Sequence, residues 1–178
     1  LFSNLTMYTV LLSLPVFLTE RDARSNSAIG IVLAAMSLQM IAFAPIGGWL
    51  ADHRGERLPA TLGAVLLAVG AVSLVRIDTH WGWAIYLGPL VAIGAGVGLS
   101  SAPTQALAIA AAPGYMAGQA AGLFSTTTYL GSIVGSAGMA AILGDGTPAI
   151  NSFRLLYVAV SFAAILGVLA ATRLPAAH

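Results

Sequence analysis

Long apolar stretches and short charged clusters alternate along this chain. The first stretch, about 1–19, ends at Glu20, Arg21, Asp22 and Arg24, and the second, about 28–51, closes at Asp52, Arg54, Glu56 and Arg57. The third, 58–75, stops at Arg76 and Asp78, and the fourth, about 83–106, runs on to a Pro113–Gly114 break. The fifth, about 118–143, ends at Asp145, Gly146 and Pro148, and the sixth, 153–172, at Arg173. A helix needs about 20 mostly apolar residues to cross the hydrocarbon core of a bilayer. Outer-membrane strands would instead alternate in polarity over about 10 residues. The pattern predicts an all-α membrane protein with six transmembrane helices and every Arg, Asp, Glu and His at or outside a span edge.

Composition removes the soluble alternative. Of 178 residues, 58% are hydrophobic and 7% charged, against about 25% charged in a soluble domain. Six consecutive buried helices would leave no polar outer face. The net charge of +1 makes no case for nucleic acid. The basic residues are all Arg, and Ala and Gly abound, as a GC-rich bacterial genome would encode. Cysteine is absent, which excludes disulfides and thiolate chemistry. His53, His80 and His178 form no metal-ligand cluster, so neither a metal nor another cofactor is expected. No catalytic residue is predicted either: the spans hold no His to activate a serine, and the chain has neither a G-x-S-x-G elbow nor a P-loop. The first residues already belong to a span and no cleavable signal peptide precedes them, so the chain is expected to begin inside a longer protein.

Uncharged polar residues divide the spans. The first carries Asn4, Thr6, Tyr8, Thr9 and Ser13, the second Ser37 and Gln39, and the fourth Ser100, Ser101, Thr104 and Gln105. The fifth carries Gln119, Ser125 to Tyr129, Ser132 and Ser136, whereas the third and sixth are almost purely aliphatic. A polar side chain in lipid favours another helix or a watery cavity. Spans one, two, four and five are therefore expected to line the interior, and three and six to face lipid or the periphery. Gly94 and Gly98, Gly118 and Gly122, and Gly131 and Gly135 are each four apart, a spacing that lets helix backbones approach closely. Pro45, Pro89 and Pro103 are expected to kink their helices. Trp81, Trp83 and Tyr86 stand at a span entrance, as an interfacial aromatic belt would, and Arg154 is expected to snorkel to the interface. Loop charge does not orient the chain: Arg54, Arg57 and Arg173 on one side face Arg21, Arg24, Arg76 and Arg154 on the other.

The connection after the second span reads Gly48-Trp-Leu-Ala-Asp52-His53-Arg54-Gly55-Glu56-Arg57. Gly55 suits a tight reversal, Asp52 can accept from free N–H groups at a helix end, and Arg57 can pair with Asp52 or with a helix C-terminus. The segment resembles the signature loop of the major facilitator superfamily, G-x-L-a-D-R-x-G-R-K, and lies where that family places it. His53 and Glu56 depart from the family's basic residues. The resemblance implies half of a major facilitator fold, a 3+3 inverted repeat, with Gly48, Asp52, Arg54, Gly55 and Arg57 as a conformational latch. Family N-terminal halves carry an Arg in helix four and drug antiporters a Gly-Pro in helix five. Neither is present here, and Ile93–Pro103, Gly118–Gly122 and Tyr129–Gly131 look like the last helices of multidrug-type members. The resemblance thus implies a C-terminal half with both termini in the cytoplasm, in a bacterial inner membrane, partnered by a missing N-terminal six-helix half and by lipid.

The function so implied is secondary active transport, with proton-coupled export of small amphipathic compounds by alternating access. Asn4, Tyr8, Gln39, Gln105 and Tyr129 are the candidate lining of a substrate cavity, or else they form hydrogen bonds between helices. No span carries an acidic residue, so a coupling acid is expected in the missing half. A six-span structural or assembly protein and a passive channel are the alternatives.

Overall fold

A computed structural model describes residues 1–20, 26–76, 83–144 and 149–173. Six helices among them are long and apolar enough to cross a membrane. They are α1 (Phe2–Glu20), α2 (Asn26–Arg54), α3 (Arg57–Leu74), α4 (Trp83–Ala110), α5 (Ala117–Leu143) and α6 (Ile150–Thr172), with a single 3-10 turn, Gly114–Met116, before α5. No strand occurs among the described residues. Several ends outrun the apolar stretches. α2 carries Asp52, His53 and Arg54 in its last turn, because a helix can continue into the polar layer once its apolar part is spent. At 29 residues it is about 43 Å long, against a core of about 30 Å. Pro15, Pro45, Pro89 and Pro103 all lie within helices. Each removes one backbone donor, which a span tolerates where neighbours supply replacements.

α4 holds the bundle together through its missing side chains. Gly94 and Gly96 are two residues apart, so they face nearly opposite sides of the helix. Gly94 lies against the Met36 carbonyl of α2, and a methyl on Gly98, one turn on, would stand 2.6 Å from the Met40 carbonyl. On the other side Gly96 meets Gly63 of α3: a methyl on either would stand 2.5 to 2.6 Å from the other's carbonyl oxygen. Gly70 of α3 is as close to Pro89 and Ile93. α1 and α5 approach in the same manner, with Gly131 against the Leu1 backbone and Gly135 against Thr9 and Leu5.

The packing has an internal symmetry. α2 packs on α4 as α5 packs on α1; α3 packs on α4 as α6 packs on α1; and α3 and α6 pack on each other. Exchanging α1 with α4, α2 with α5 and α3 with α6 leaves this list unchanged. Alternate spans run in opposite directions, so the two triplets are inverted, as expected for half of a major facilitator fold. α1 and α4 are central. α3 and α6 turn apolar faces outward, including Val65, Val69, Phe162 and Leu169. α2 and α5 keep the most open faces, marked by Ile41 and Leu38 on one and Leu123, Tyr129 and Ile133 on the other.

Between α1, α4 and α6 the core is aromatic. Phe17 meets Phe153 edge-on at 5.1 Å and Tyr86 at 6.1 Å. The buried Tyr157 hydroxyl is 3.1 Å from Ser13 Oγ. Tyr86 is fully buried here, which corrects its expected place in an interfacial belt. It opens α4 at the level where α1 ends and α6 begins, so it faces inward across the bundle. Trp81 lies outside the described residues.

Gly63→Ala and Gly96→Ala should each cost about 1 to 3 kcal/mol, the usual penalty of overpacking. Gly88→Ala, where an added methyl meets nothing within 4 Å, should stay within about 0.5 kcal/mol of the parent. Reversible unfolding of the purified protein in mixed micelles measures all three. Equal midpoints would remove the close approach of α3 and α4.

Candidate functional site

A cavity of about 440 Å³ opens between α1, α2, α4 and α5. Its polar lining is Ser3 and Asn4 of α1, Ser100, Ser101, Thr104 and Gln105 of α4, and Thr128 of α5. Met7, Met40, Val97 and Phe124 supply apolar wall. Met40 is central in α2, the α4 residues lie in the second half of that helix and the α5 residues in the first half of theirs, so the cavity extends from mid-helix toward the α4–α5 connection. No lining residue is charged.

Local hydrogen bonding decides what this lining offers. Ser100 Oγ donates to the Gly96 carbonyl at 2.8 Å and Ser101 Oγ to Gly98 at 3.3 Å, while Thr104 Oγ1 donates to the carbonyls of Ser100 and Ser101. Those hydroxyl protons are used within α4, which leaves oxygen lone pairs as acceptors. The carboxamides of Asn4 and Gln105 each carry both donors and an acceptor. The cavity can therefore hydrogen-bond a neutral ligand in either sense and bury its apolar part against Met and Phe.

Of the residues singled out by sequence, Asn4 and Gln105 meet at this cavity. The other three stand elsewhere. Tyr8 is half-buried against the core. Gln39 lies where α2 meets α4, its Cβ 3.1 Å from a methyl built on Gly94. Tyr129 is 66% exposed on the open face of α5. Ser3, Met7, Met40, Val97 and Phe124 were not foreseen. One signal was available: Phe124 and Thr128 are four apart and share a helix face. Among the paired glycines, Gly118 and Gly122 meet nothing within 4 Å, unlike Gly94, Gly98, Gly131 and Gly135.

The α2–α3 connection is a second cluster. Gly55 has a φ of +80°, a left-handed conformation that side chains disfavour. Its N–H closes α2 onto the Ala51 carbonyl at 2.9 Å. Asp52 and Arg54 are exposed, and Gly48 is half-buried with open space beside it. Arg57 Nη2 donates to the carbonyl of Thr172, in the last turn of α6. A cation there satisfies an orphan carbonyl and complements the negative end of the helix dipole. The contact joins the first triplet to the second at the loop end of the bundle. His53 stacks on Trp49, ring centroids 4.5 Å apart, with Nδ1 2.8 Å from the Trp49 carbonyl.

A family model described as Major Facilitator Superfamily matches residues 1–177. The uncharacterized transporter YebQ of Escherichia coli K12 is 32% identical over 165 residues, covering 90% of this chain and 34% of that protein. The uncharacterized MFS-type transporter YvkA of Bacillus subtilis is 32% identical over 170 residues, covering 94% and 36%. The multidrug resistance protein Stp of Mycobacterium tuberculosis H37Rv is 29% identical over 137 residues, covering 77% and 25%. The chain thus spans about a third of the length of the first two relatives, at 34% and 36%.

Gly55→Ala should destabilise the protein by about 1 to 2 kcal/mol through the left-handed turn alone, since an added methyl meets nothing within 4 Å. Gly55→Asn should lose less, because Asn tolerates that conformation. Thermal unfolding in detergent reads the order Gly, Asn, Ala, and an Ala variant as stable as the parent would contradict it.

Proposed function

The chain belongs to the major facilitator superfamily of multi-pass membrane transporters, and from that premise we propose that it forms the C-terminal half of a secondary active exporter. The proposed cargo is a small amphipathic compound, the proposed coupling ion a proton, and the proposed site a bacterial inner membrane. Rocking of this six-helix unit against an N-terminal partner would alternate access to this cavity. The observation that carries this reading is the cavity itself: uncharged, mixed in polarity, and walled by α1, α2, α4 and α5. At about 440 Å³ it falls within the range of about 300 to 1,000 Å³ typical of small-molecule sites. The name of the relative Stp is consistent with drugs as cargo.

The Gly48–Arg57 segment is proposed as the latch at the cytoplasmic end. Arg57 supports that role by tying the loop to α6, so that the loop moves with both triplets. Asp52, exposed at the end of α2, is free to meet a helix N-terminus of the partner half. Proton coupling needs a titratable group in the pathway. Among the described residues the acids are Glu20, Asp52 and Glu56, all at helix ends, so the coupling acid is assigned to the other half.

The test is uptake of lipophilic dyes into everted vesicles that hold the full-length protein, where export in the cell becomes accumulation. Accumulation should follow an imposed proton gradient and collapse with a protonophore. The 178-residue chain reconstituted alone should show no proton-driven flux. Accumulation indifferent to the gradient would overturn the coupling, and proton-driven flux by the chain alone would overturn the placement of the acid.

A further inference from the structure

A second cavity, of about 450 Å³, follows the first along the α4–α5 pair. On the α4 side it is bounded by Ala108 and, just past the helix end, by Ala111 and Ala112, and on α5 by Gln119 and Leu123. From Ala108 to Ser101, which lines the first cavity, α4 rises about 10 Å. The two linings have one residue in common, Phe124. The second cavity lies beside the α4–α5 connection, on the same side of the bundle as the Asp52 loop, because both join an even-numbered span to the next.

The chemistry changes across Phe124. The outer cavity is walled by alanine, methionine and leucine, with the Gln119 amide and a Thr127 hydroxyl that already donates to Leu123 at 2.8 Å. The inner one carries the amides and hydroxyls described above. Neither contains a charge. An apolar antechamber ahead of a polar chamber suits a lipophilic molecule with a few hydrogen-bonding groups. It would lose its water against alanine and regain hydrogen bonds beyond the ring. Phe124 is half-buried, and Ala108, Ala111 and Ala112, which line the outer cavity with it, are small.

We propose that Phe124 is the partition of a two-chamber path for uncharged or amphipathic molecules, and that its ring sets the size of what passes from the α4–α5 antechamber to the central cavity. The proposal rests on reading the central cavity as the cargo site. It adds a specificity-determining residue and an entry route to that reading.

The chain contains no cysteine, so one introduced thiol reports its own accessibility once any elsewhere in the full-length protein are replaced. Ala111→Cys samples the antechamber and Ser101→Cys the inner chamber. In everted vesicles Ala111→Cys should react with both a small methanethiosulfonate and a bulky fluorescein maleimide. Ser101→Cys should react with the small reagent and only slowly with the bulky one. Phe124→Ala should raise the bulky reagent's rate at Ser101→Cys about tenfold and leave Ala111→Cys unchanged. Phe124→Trp should slow it, which guards against a misfolded Ala variant. Rates at Ser101→Cys indifferent to both substitutions would overturn the partition, as would an unreactive Ala111→Cys, which would mean that another part of the protein fills the antechamber. Labelling as expected with no dye export would sink the export reading and leave the partition standing.

Discussion

In lipid, apolar side chains gain little by leaving their solvent, so two spans hold together where their backbones come close enough for dense contact. α4 meets this requirement on both sides at once. Gly94 and Gly98 bring it against the carbonyls of Met36 and Met40, and Gly96 brings it against Gly63. The central cavity overlaps the end of this contact: Val97 and Ser100 lie within the clamped stretch, and they with Ser101, Thr104 and Gln105 face the space between α1, α2 and α5. A helix clamped on opposite faces over one stretch presents its next turns in a fixed direction. That is how a cavity lined by small hydroxyls keeps a defined shape without an ion pair to hold it.

The same contact explains the symmetry. α1 stands to α5 and α6 as α4 stands to α2 and α3, and its partners again include glycines, Gly131 and Gly135. The Arg57 contact with Thr172 crosses from one triplet to the other at the loop end, and the aromatic group of Phe17, Tyr86 and Phe153 ties α1, α4 and α6 together near the opposite end. Contacts at both ends would help the six helices move together in the proposed rocking.

The sequence showed the spans because charge is expensive in hydrocarbon and therefore marks their ends. It showed the α2–α3 turn because Gly55 is needed at a positive φ. It did not show which face of each helix turns inward. In water a buried face is apolar and an exposed one polar, but in a bilayer Leu123 facing outward and Leu90 in the core obey the same chemistry. Serine and threonine do not break the tie: Thr126 and Thr127 of α5 bond their own backbone at Gly122 and Leu123, so neither needs a partner helix. Tyr129 thus read as interior on its polarity and lies on the open face. Tyr86 read as interfacial on its position and lies in the core. Asn4 and Gln105, whose carboxamides carry more donors than a hydroxyl, line the central cavity, whereas the carboxamide of Gln39 does not.

The distribution of charge argues for a division of labour. A carboxylate at mid-depth must be paired or hydrated, and it titrates at a shifted pH. The cavity wall supplied here holds amides, hydroxyls, methionine and phenylalanine, none of which changes charge over the physiological range. If cargo binds there, the wall's own contribution to affinity would not change with the proton gradient. A transporter assembled around such a wall would keep cargo recognition constant on this side while the other side responds to protons. Coupling would then arise from the geometry shared by the two halves, with no ionisable group in direct contact with the cargo on this one.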